Sequence, residues 1–218
     1  TRRSSDLVNP SGRLAGGTVE VGRTASSQFL SALMLIGPWI GGVRIAHREP
    51  PTSASYLALT VDALRTAGAR VEVKRDDAGE LKSHDVLSGL PGPREIAIEP
   101  DASSAVYWWG AAALSPGLTV RVMGLQPDSA QPDVRILEAL EAAGAKVASS
   151  GRDTTVTGPE RLEAIDWDAS QFPDGSMALA AVLSRAEGRS RIRGLHTLRV
   201  KETDRLAALA VELERLGC

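Results

Sequence analysis

The chain repeats one pattern three times, and this repetition limits the folds open to it more than any other feature. Each copy closes with an amphipathic segment that ends at a glycine. These glycines are Gly68, Gly144 and Gly217, which lie 76 and then 73 residues apart. A glycine at this place typically ends a helix, because it adopts a left-handed backbone conformation without strain. The first two copies continue into a β-rich run, whereas the third reaches Cys218, the last residue. We therefore expect the chain to be a piece of a longer protein.

An apolar run lies upstream of each closing segment, and a few small polar residues open it. The runs cover residues 29–36, 106–114 and 177–183, and they are apolar on nearly every side, which predicts buried helices. Short β-rich runs follow, such as residues 118–123 and 190–193. The repeated unit is thus a buried helix, a strand, an amphipathic helix and two further strands, which predicts an α/β fold.

Composition excludes several classes of protein. The 218 residues carry a formal charge of −2, whereas nucleic-acid-binding proteins normally have a basic excess. The lone cysteine, Cys218, excludes an intrachain disulfide and a cysteine-rich zinc site, and it fits a reducing compartment. The longest apolar stretch, residues 29–40, is too short to span a bilayer. We expect a cytoplasmic protein that binds neither nucleic acid nor membrane.

Two hydroxyls stand at the start of the first buried helix. Ser26 and Ser27 precede Gln28 there, and hydroxyls beside the unpaired N–H groups of a helix start can hold a phosphate. The alternative is that one of these serines only caps the helix. The second buried helix opens with the similar segment Asp-Ala-Ser-Ser at residues 101–104, and here we favour capping.

A charged cluster opens the last amphipathic segment. Lys201 and Arg205 stand four residues apart, so that on a helix they share one face, and Glu202 lies beside them. Such a cluster could bind an anion and move a proton, although a solvated charged turn would have the same sequence. Asp174 stands where the third buried helix should begin, either as a general base or as a helix cap.

The histidines, tryptophans and glycines of the sequence do not predict a functional site. His47 and His196 are isolated, with no partner at the spacing of metal ligands. Trp108 and Trp109 fall in a buried helix, where we expect core residues. The sequence has no glycine-rich phosphate loop of either common pattern.

Four motifs together resemble the 5-enolpyruvylshikimate-3-phosphate synthase family. They are Ser-Ser-Gln-Phe-Leu at residues 26–30, Asp-Ala-Ser-Ser-Ala at 101–105, Pro-Asp at 173–174 and Arg-Val-Lys-Glu-Thr-Asp-Arg at 199–205. They occur in the family's order and at similar spacing, and the last is the most specific. The resemblance extends from about residue 14 to the end of the chain.

The resemblance implies two domains, each an inside-out α/β barrel built from repeated βαβαββ units (the enolpyruvyl transferase fold). This chain would hold an incomplete set of these units. Residues 1–93 would be the last part of the first domain, and residues 94–218 would be part of the second domain, truncated at its C-terminus. The Pro-Gly-Pro-Arg segment at residues 91–94 is the best candidate for the linker between them.

The resemblance also implies an activity, the transfer of the enolpyruvyl group of phosphoenolpyruvate to the 5-hydroxyl of shikimate 3-phosphate with release of phosphate. Asp174 is expected to take the proton from that hydroxyl, and Glu202 to protonate the methylene carbon of phosphoenolpyruvate. Gln28 and Arg205 are expected to bind phosphoenolpyruvate. The residues expected to bind shikimate 3-phosphate are Ser26, Ser27, Gln28, Ser53, Tyr56, Asp174, Thr197 and Lys201. No metal and no organic cofactor is implied, and the full-length enzyme is expected to be a monomer.

The sequence departs from the pattern of the family at several places. Thr197 stands where many relatives have Asn, and the surroundings of Ser53 match loosely. Family segments that carry further Lys and Arg ligands do not occur in this sequence, so we expect no measurable turnover from the chain alone.

Two alternative functions are a non-catalytic sugar-phosphate-binding fragment and the related UDP-N-acetylglucosamine enolpyruvyl transferase. Retention of Asp174 and Glu202 argues against the first, and the Lys-Glu-Thr-Asp-Arg run argues against the second.

Overall fold

The computed structural model describes residues 14–24, 26–89, 92 and 95–218. The chain divides into two compact units, unit 1 (Thr1–Ala97) and unit 2 (Ile98–Cys218). Apart from Gly92, the predicted linker at residues 91–94 lies outside the described residues. Within the described ranges, no helix is both long enough and apolar enough to cross a membrane.

Unit 1 is one complete βαβαββ repeat. Its elements are β1 (Gly17–Val21), α1 (Gln28–Ile36), β2 (Val43–His47), α2 (Ala54–Thr66), β3 (Val71–Arg75) and β4 (Leu81–Val86). The strands form one sheet in the order β1-β2-β4-β3, in which β1 and β2 are parallel and the other neighbours are antiparallel. Both helices contact the sheet and each other, and Leu30, Met34, Ile45 and Leu57 fill the space between them.

Unit 2 contains a second and a third copy of the repeat. The second copy comprises α3 (Ala102–Ala113), β5 (Thr119–Val122), α4 (Ile136–Ala142), β6 (Lys146–Ser150) and β7 (Asp153–Thr157). The third comprises β8 (Asp166–Asp168), α5 (Ser176–Leu183), β9 (Arg191–Arg193) and α6 (Arg205–Arg215). The antiparallel order β5-β7-β6 matches β2-β4-β3 of unit 1, and the parallel pair β8-β9 matches β1-β2. The repeat predicted from the sequence is therefore confirmed.

The three closing glycines end their helices in the same way. Gly68, Gly144 and Gly217 have φ values of 92°, 99° and 83°, which only glycine adopts easily. In each case the next residue donates its N–H to the carbonyl oxygen five positions back. These bonds are Ala69 to Leu64 (2.8 Å), Ala145 to Leu140 (2.9 Å) and Cys218 to Leu213 (3.0 Å). This hydrogen bond defines the Schellman motif, so the predicted helix ends are confirmed.

The predicted buried helices differ in how much of their surface is covered. In α3, Trp109 is fully buried, but its neighbour Trp108 is 64% exposed. The expectation that both are core residues is therefore wrong for Trp108, because consecutive residues lie about 100° apart around a helix and only one face of α3 packs on the rest of unit 2. In α1, Phe29 and Leu35 are 66% and 48% exposed, because the helix packs with one face on α2 and the sheet.

Candidate active site

The starts of α1 and α2 lie at the same edge of the sheet in unit 1. Helix α1 follows β1 and helix α2 follows β2, and these two strands are parallel neighbours, so their carboxyl ends meet at one edge. The Thr52 hydroxyl donates to the carbonyl of Thr24 at 2.7 Å and joins the two connecting loops directly. The sequence-predicted residues Ser26, Ser27 and Ser53 therefore belong to one end of the unit.

The start of α1 differs from the start of α3, although their sequences look alike. In α3, the Asp101 carboxylate accepts from the N–H groups of Ser103 and Ser104, and Gln131 Oε1 accepts from the N–H of Ala102 at 2.8 Å. The predicted capping role of Asp101 is confirmed. The α1 N-cap, Ser27, is buried and makes no side-chain capping bond. The α1 start is therefore the better candidate for an anion site.

Two further contacts shape this end of unit 1. The N–H of Gln28 donates to Ser26 Oγ at 3.2 Å, which turns the Ser26 side chain toward the helix start. Ser53, the N-cap of α2, has φ 54° and ψ 51°, and it is the one non-glycine residue with positive φ among those that the structure describes. Such a conformation costs about 1 kcal/mol or more for a residue with a Cβ atom, and strained residues of this kind concentrate at functional sites. Tyr56 follows in the first turn of α2, and its N–H donates to the carbonyl of Ser53.

In unit 2, one carboxylate receives two cations. Lys201 Nζ lies 3.3 Å from Asp174 Oδ1 and 3.4 Å from Oδ2, and Arg205 Nη1 donates to Oδ1 at 2.9 Å. All three side chains are partly buried. The N-cap of α5 is Gly175 rather than Asp174, so the interpretation of Asp174 as the cap of this helix is wrong. Its carboxylate instead faces the charged cluster.

The same guanidinium also holds Glu202. Arg205 Nε donates to Glu202 Oε1 at 2.8 Å, and Nη2 donates to Oε2 at 3.0 Å, while the Glu202 side chain stays 66% exposed. The pKa of Glu202 lies below its ordinary value, because its own backbone N–H and the Arg205 guanidinium stabilise the charged form. Arg205 therefore bridges the two carboxylates that the sequence singled out.

The prediction that Lys201 and Arg205 share one helix face is wrong. Helix α6 begins only at Arg205, and its N-cap is Asp204, whose carboxylate accepts from the N–H of Ala207. Lys201 has an extended backbone after the 3-10 helix His196–Val200, so the two cations do not share a helix face. They meet because both side chains reach Asp174. In the same 3-10 helix, Thr197 is buried, and its Oγ1 has no hydrogen-bond partner within the described part of the chain.

A residue that the sequence did not single out lies behind this cluster. Asp133 is 1% exposed, accepts from the hydroxyl of Ser103 at 2.5 Å and accepts from the N–H of Gly175 at 3.2 Å. Burial raises the pKa of its carboxyl group. The one local signal was an acidic residue between Pro132 and the apolar Val134. Within the described ranges, no group of three or more His, Cys, Asp and Glu side chains could hold a metal ion.

Comparison with known proteins decides the family. Residues 6–218 match the sequence profile of EPSP synthase (3-phosphoshikimate 1-carboxyvinyltransferase). The chain belongs to the EPSP synthase family. The 3-phosphoshikimate 1-carboxyvinyltransferase of Shewanella amazonensis is 37% identical over 213 residues, which are 96% of this chain and 48% of that protein. The chloroplastic 3-phosphoshikimate 1-carboxyvinyltransferase of Arabidopsis thaliana is also 37% identical, over 96% of this chain and 41% of its own length.

A solved structure supports the same assignment. EPSP synthase from Acinetobacter baumannii superposes with a TM-score of 0.66 at 25% identity, and the match covers 91% of this chain and 45% of that one. The enolpyruvyl transferase fold predicted from the family resemblance is thereby confirmed. The chain spans about half the length of the curated relatives it matches.

The predicted site residues fall into two groups. One group stands at the shared helix-start edge of unit 1 and consists of Ser26, Ser27, Gln28, Ser53 and Tyr56. The other group lies in unit 2, where Asp174, Lys201, Glu202 and Arg205 form one connected set of ion pairs. Thr197 lies in the 3-10 helix that leads to Lys201.

Proposed function

We propose that the chain carries part of the active site of an enzyme that transfers the enolpyruvyl group of phosphoenolpyruvate to the 5-hydroxyl of shikimate 3-phosphate and releases phosphate. The observation that carries this proposal is the bridge in unit 2, where the Arg205 guanidinium binds both Asp174 and Glu202. Two carboxylates held by one cation can act as a base and an acid once an anionic substrate separates them.

The unit 2 cluster supplies the groups that this reaction needs. Asp174 takes the proton from the 5-hydroxyl, whose oxygen attacks C2 of phosphoenolpyruvate. Glu202 gives a proton to the methylene carbon, which becomes a methyl group in a tetrahedral intermediate. Loss of phosphate and of one methyl proton then yields the enol ether. Lys201 and Arg205 stabilise the negative charge beside these steps.

Arg205 exchanges partners in this proposal. Its guanidinium makes a two-pronged contact with Glu202, and an anionic group of phosphoenolpyruvate takes the place of that carboxylate. That exchange removes one of the two main causes that hold the pKa of Glu202 low, the other being its own backbone N–H. The pKa of Glu202 then rises, so that a larger fraction of Glu202 carries the proton that the methylene carbon receives.

We assign the binding of shikimate 3-phosphate to both groups of residues. In unit 1, the phosphate ligands are Ser26, Ser27 and Ser53, with Gln28 and Tyr56 beside them, because the positive ends of two helices stand at one edge there. In unit 2, Lys201, Asp174 and Thr197 contact the ring. A substrate hydroxyl would satisfy Thr197 Oγ1, which is buried without a partner in the described part of the structure.

The remaining assignments follow from the same proposal. Residues 1–93 belong to the first domain and residues 94–218 to the second domain of a monomeric, cytoplasmic enzyme, so that the domain boundary lies shortly before the end of unit 1 at Ala97. The chain alone has no turnover, because it spans about half the length of its curated relatives. Phosphoenolpyruvate and shikimate 3-phosphate are its two small-molecule substrates.

The experiment uses protein made from the complete reading frame that contains this sequence. Phosphate release from phosphoenolpyruvate is measured with shikimate 3-phosphate present. Asp174→Asn and Glu202→Gln are each expected to lower kcat by about 10²- to 10⁴-fold, the usual contribution of one acid or base. Glu212→Gln is the matched control, because Glu212 pairs with Arg215 on α6 at the same three-residue spacing and should leave kcat unchanged.

The outcomes separate the alternatives. Full activity of Asp174→Asn or Glu202→Gln contradicts the role given to that residue. Tight binding of shikimate 3-phosphate by the unsubstituted protein without any phosphate release supports a non-catalytic sugar-phosphate-binding protein instead.

A further inference from the structure

A buried carboxylate stands directly behind the turn that carries Asp174. Asp133 Oδ1 accepts from the N–H of Gly175 at 3.2 Å, and its Oδ2 accepts from the Ser103 hydroxyl at 2.5 Å. The carboxylate is 1% exposed, so it does not touch a substrate in this conformation. Its effect on the site must pass through the groups that it holds.

The bond to Gly175 fixes the backbone of Asp174 itself. The N–H of Gly175 and the carbonyl of Asp174 belong to one planar peptide group, so holding the N–H also orients that carbonyl and the Asp174 Cα. Within the turn, the Asp174 carbonyl accepts from the N–H of Met177 at 3.5 Å, a long contact, whereas the Ser176 hydroxyl donates to the carbonyl of Pro173 at 2.5 Å. The hydrogen bond from Gly175 to Asp133 therefore fixes the peptide group that follows the proposed base.

The packing around this bond leaves little room for movement. A Cβ atom added to Gly175 would lie 3.1 Å from Asp133 Oδ1 and 3.3 Å from Phe172 Cδ2. Both distances are tighter than ordinary van der Waals contacts. The space beside the Gly175 Cα is thus filled by the Asp133 carboxylate and by a fully buried aromatic ring.

The other end of the bridge is attached to a rigid element. Ser103 lies in the first turn of α3, which Asp101 caps and which forms much of the unit 2 core. Asp133 itself precedes α4, within the 3-10 helix Pro132–Arg135. The carboxylate thus connects the starts of α3 and α5, and the Asp-Ala-Ser-Ser segment gains a role beyond helix capping.

We propose that Asp133 is a positioning residue, which holds the Asp174 carboxylate at the place where it takes the substrate proton. This inference rests on the proposed function and assigns a further residue to the same site. Displacement of a reacting group by about 1 Å can lower a rate by about 10²-fold. The link between Asp133 and Gly175 is the contact that prevents such a displacement.

The experiment compares variants of the complete reading frame in phosphate release and in exchange of the Gly175 amide hydrogen. Asp133→Ala is expected to lower kcat by about 10- to 100-fold with little change in either KM, since Lys201 and Arg205 remain. It is also expected to speed the exchange of the Gly175 amide. Asp133→Asn should restore most of kcat, because its Oδ1 accepts from Gly175 and its Nδ2–H₂ donates to the Ser103 hydroxyl.

Two further variants guard against a purely structural effect. Thr154→Val removes a buried 2.6 Å bond to the carbonyl of Leu125 elsewhere in unit 2, and it should leave kcat unchanged at a temperature where the protein is folded. Ser103→Ala removes the other bond of Asp133 and should lower kcat by less than Asp133→Ala does. It keeps the test open if Asp133→Ala does not fold.

The results distinguish failure of this inference from failure of the proposed function. An active unsubstituted protein whose Asp133→Ala variant keeps its kcat contradicts the inference alone, as does an Asn variant that is as slow as the Ala variant. If Asp133→Ala does not fold, an unchanged kcat in Ser103→Ala contradicts it. An unsubstituted protein that releases no phosphate contradicts the proposed function and this inference together.

Discussion

At the scale of single residues, the guanidinium of Arg205 organises the unit 2 site. It makes three hydrogen bonds to two carboxylates, and Lys201 adds a second cation to one of them. The sequence indicated which residue types belong together, since a Lys, a Glu and an Arg stand within five positions of one another. It could not indicate that Asp174, 31 positions before Arg205, receives both cations, because that contact depends on where the fold places the turn before α5 and the start of α6.

A second pair of residues shows that spacing in the sequence does not predict contacts between distant residues. His47 was interpreted as isolated, yet its Nε2 lies 2.8 Å from Nδ1 of His84 in the core of unit 1. The two histidines are 37 positions apart and stand on the neighbouring strands β2 and β4. The pKa of His84 is lowered to about 4, mainly because the ring is buried and secondly because His47 lies nearby.

This pair predicts that unit 1 loses stability in mild acid. The unfolded chain binds a proton at His84 near pH 6.5, whereas the folded chain binds it only near pH 4, so stability is full above about pH 6.5 and falls as the pH drops toward 4. We expect a loss of about 2 to 3 kcal/mol over this range. Urea unfolding of the chain at a series of pH values measures it. His84→Gln should flatten the dependence, and the exposed His196→Gln should not. An unchanged slope in His84→Gln contradicts this origin.

At the scale of elements, similar sequences begin helices that do different work. The starts of α1 and α3 both carry two serines, but the N-cap side chain makes capping bonds only in α3, where it is Asp101, and not in α1, where it is Ser27. Helix existence and helix ends were predictable, because apolar runs and the closing glycines are local signals. The exposed Trp108 and the non-helical Lys201 were not, since the packing of neighbouring elements decides which face is covered and where the last helix begins.

This contrast predicts that substitutions of Asp101 and Ser27 change different properties, stability in the first case and substrate binding in the second. Asp101→Ala should lower the free energy of unfolding of unit 2 by about 1 kcal/mol, the usual contribution of a helix cap. Ser27→Ala should change the free energy of unfolding of unit 1 by less than about 0.5 kcal/mol, because Ser27 makes no capping bond. It should instead weaken the binding of shikimate 3-phosphate. Urea unfolding and calorimetric titration measure the two effects. A larger stability loss in Ser27→Ala than in Asp101→Ala would identify Ser27 as a cap.

At the scale of the whole molecule, the chain is built from a repeat that the sequence predicts and the structure confirms. The three copies share one helix-ending motif, the first two share an antiparallel strand order, and the first and third share a parallel strand pair. This repetition places the family motifs at helix starts, where anions bind. The bridge at Asp133 lay beyond the reach of the sequence, because its two partners are 30 and 42 positions away. Contacts of that range are set by the assembly of the repeats and not by any local pattern.

³¹P NMR of protein made from the complete reading frame follows both substrates and tests the proposed reaction directly. We expect inorganic phosphate and the enol ether product to appear in equal amounts only when phosphoenolpyruvate and shikimate 3-phosphate are both present. We also expect the 218-residue chain alone to form neither. Phosphate release that does not require shikimate 3-phosphate, or its absence from the complete protein, would contradict the proposed reaction.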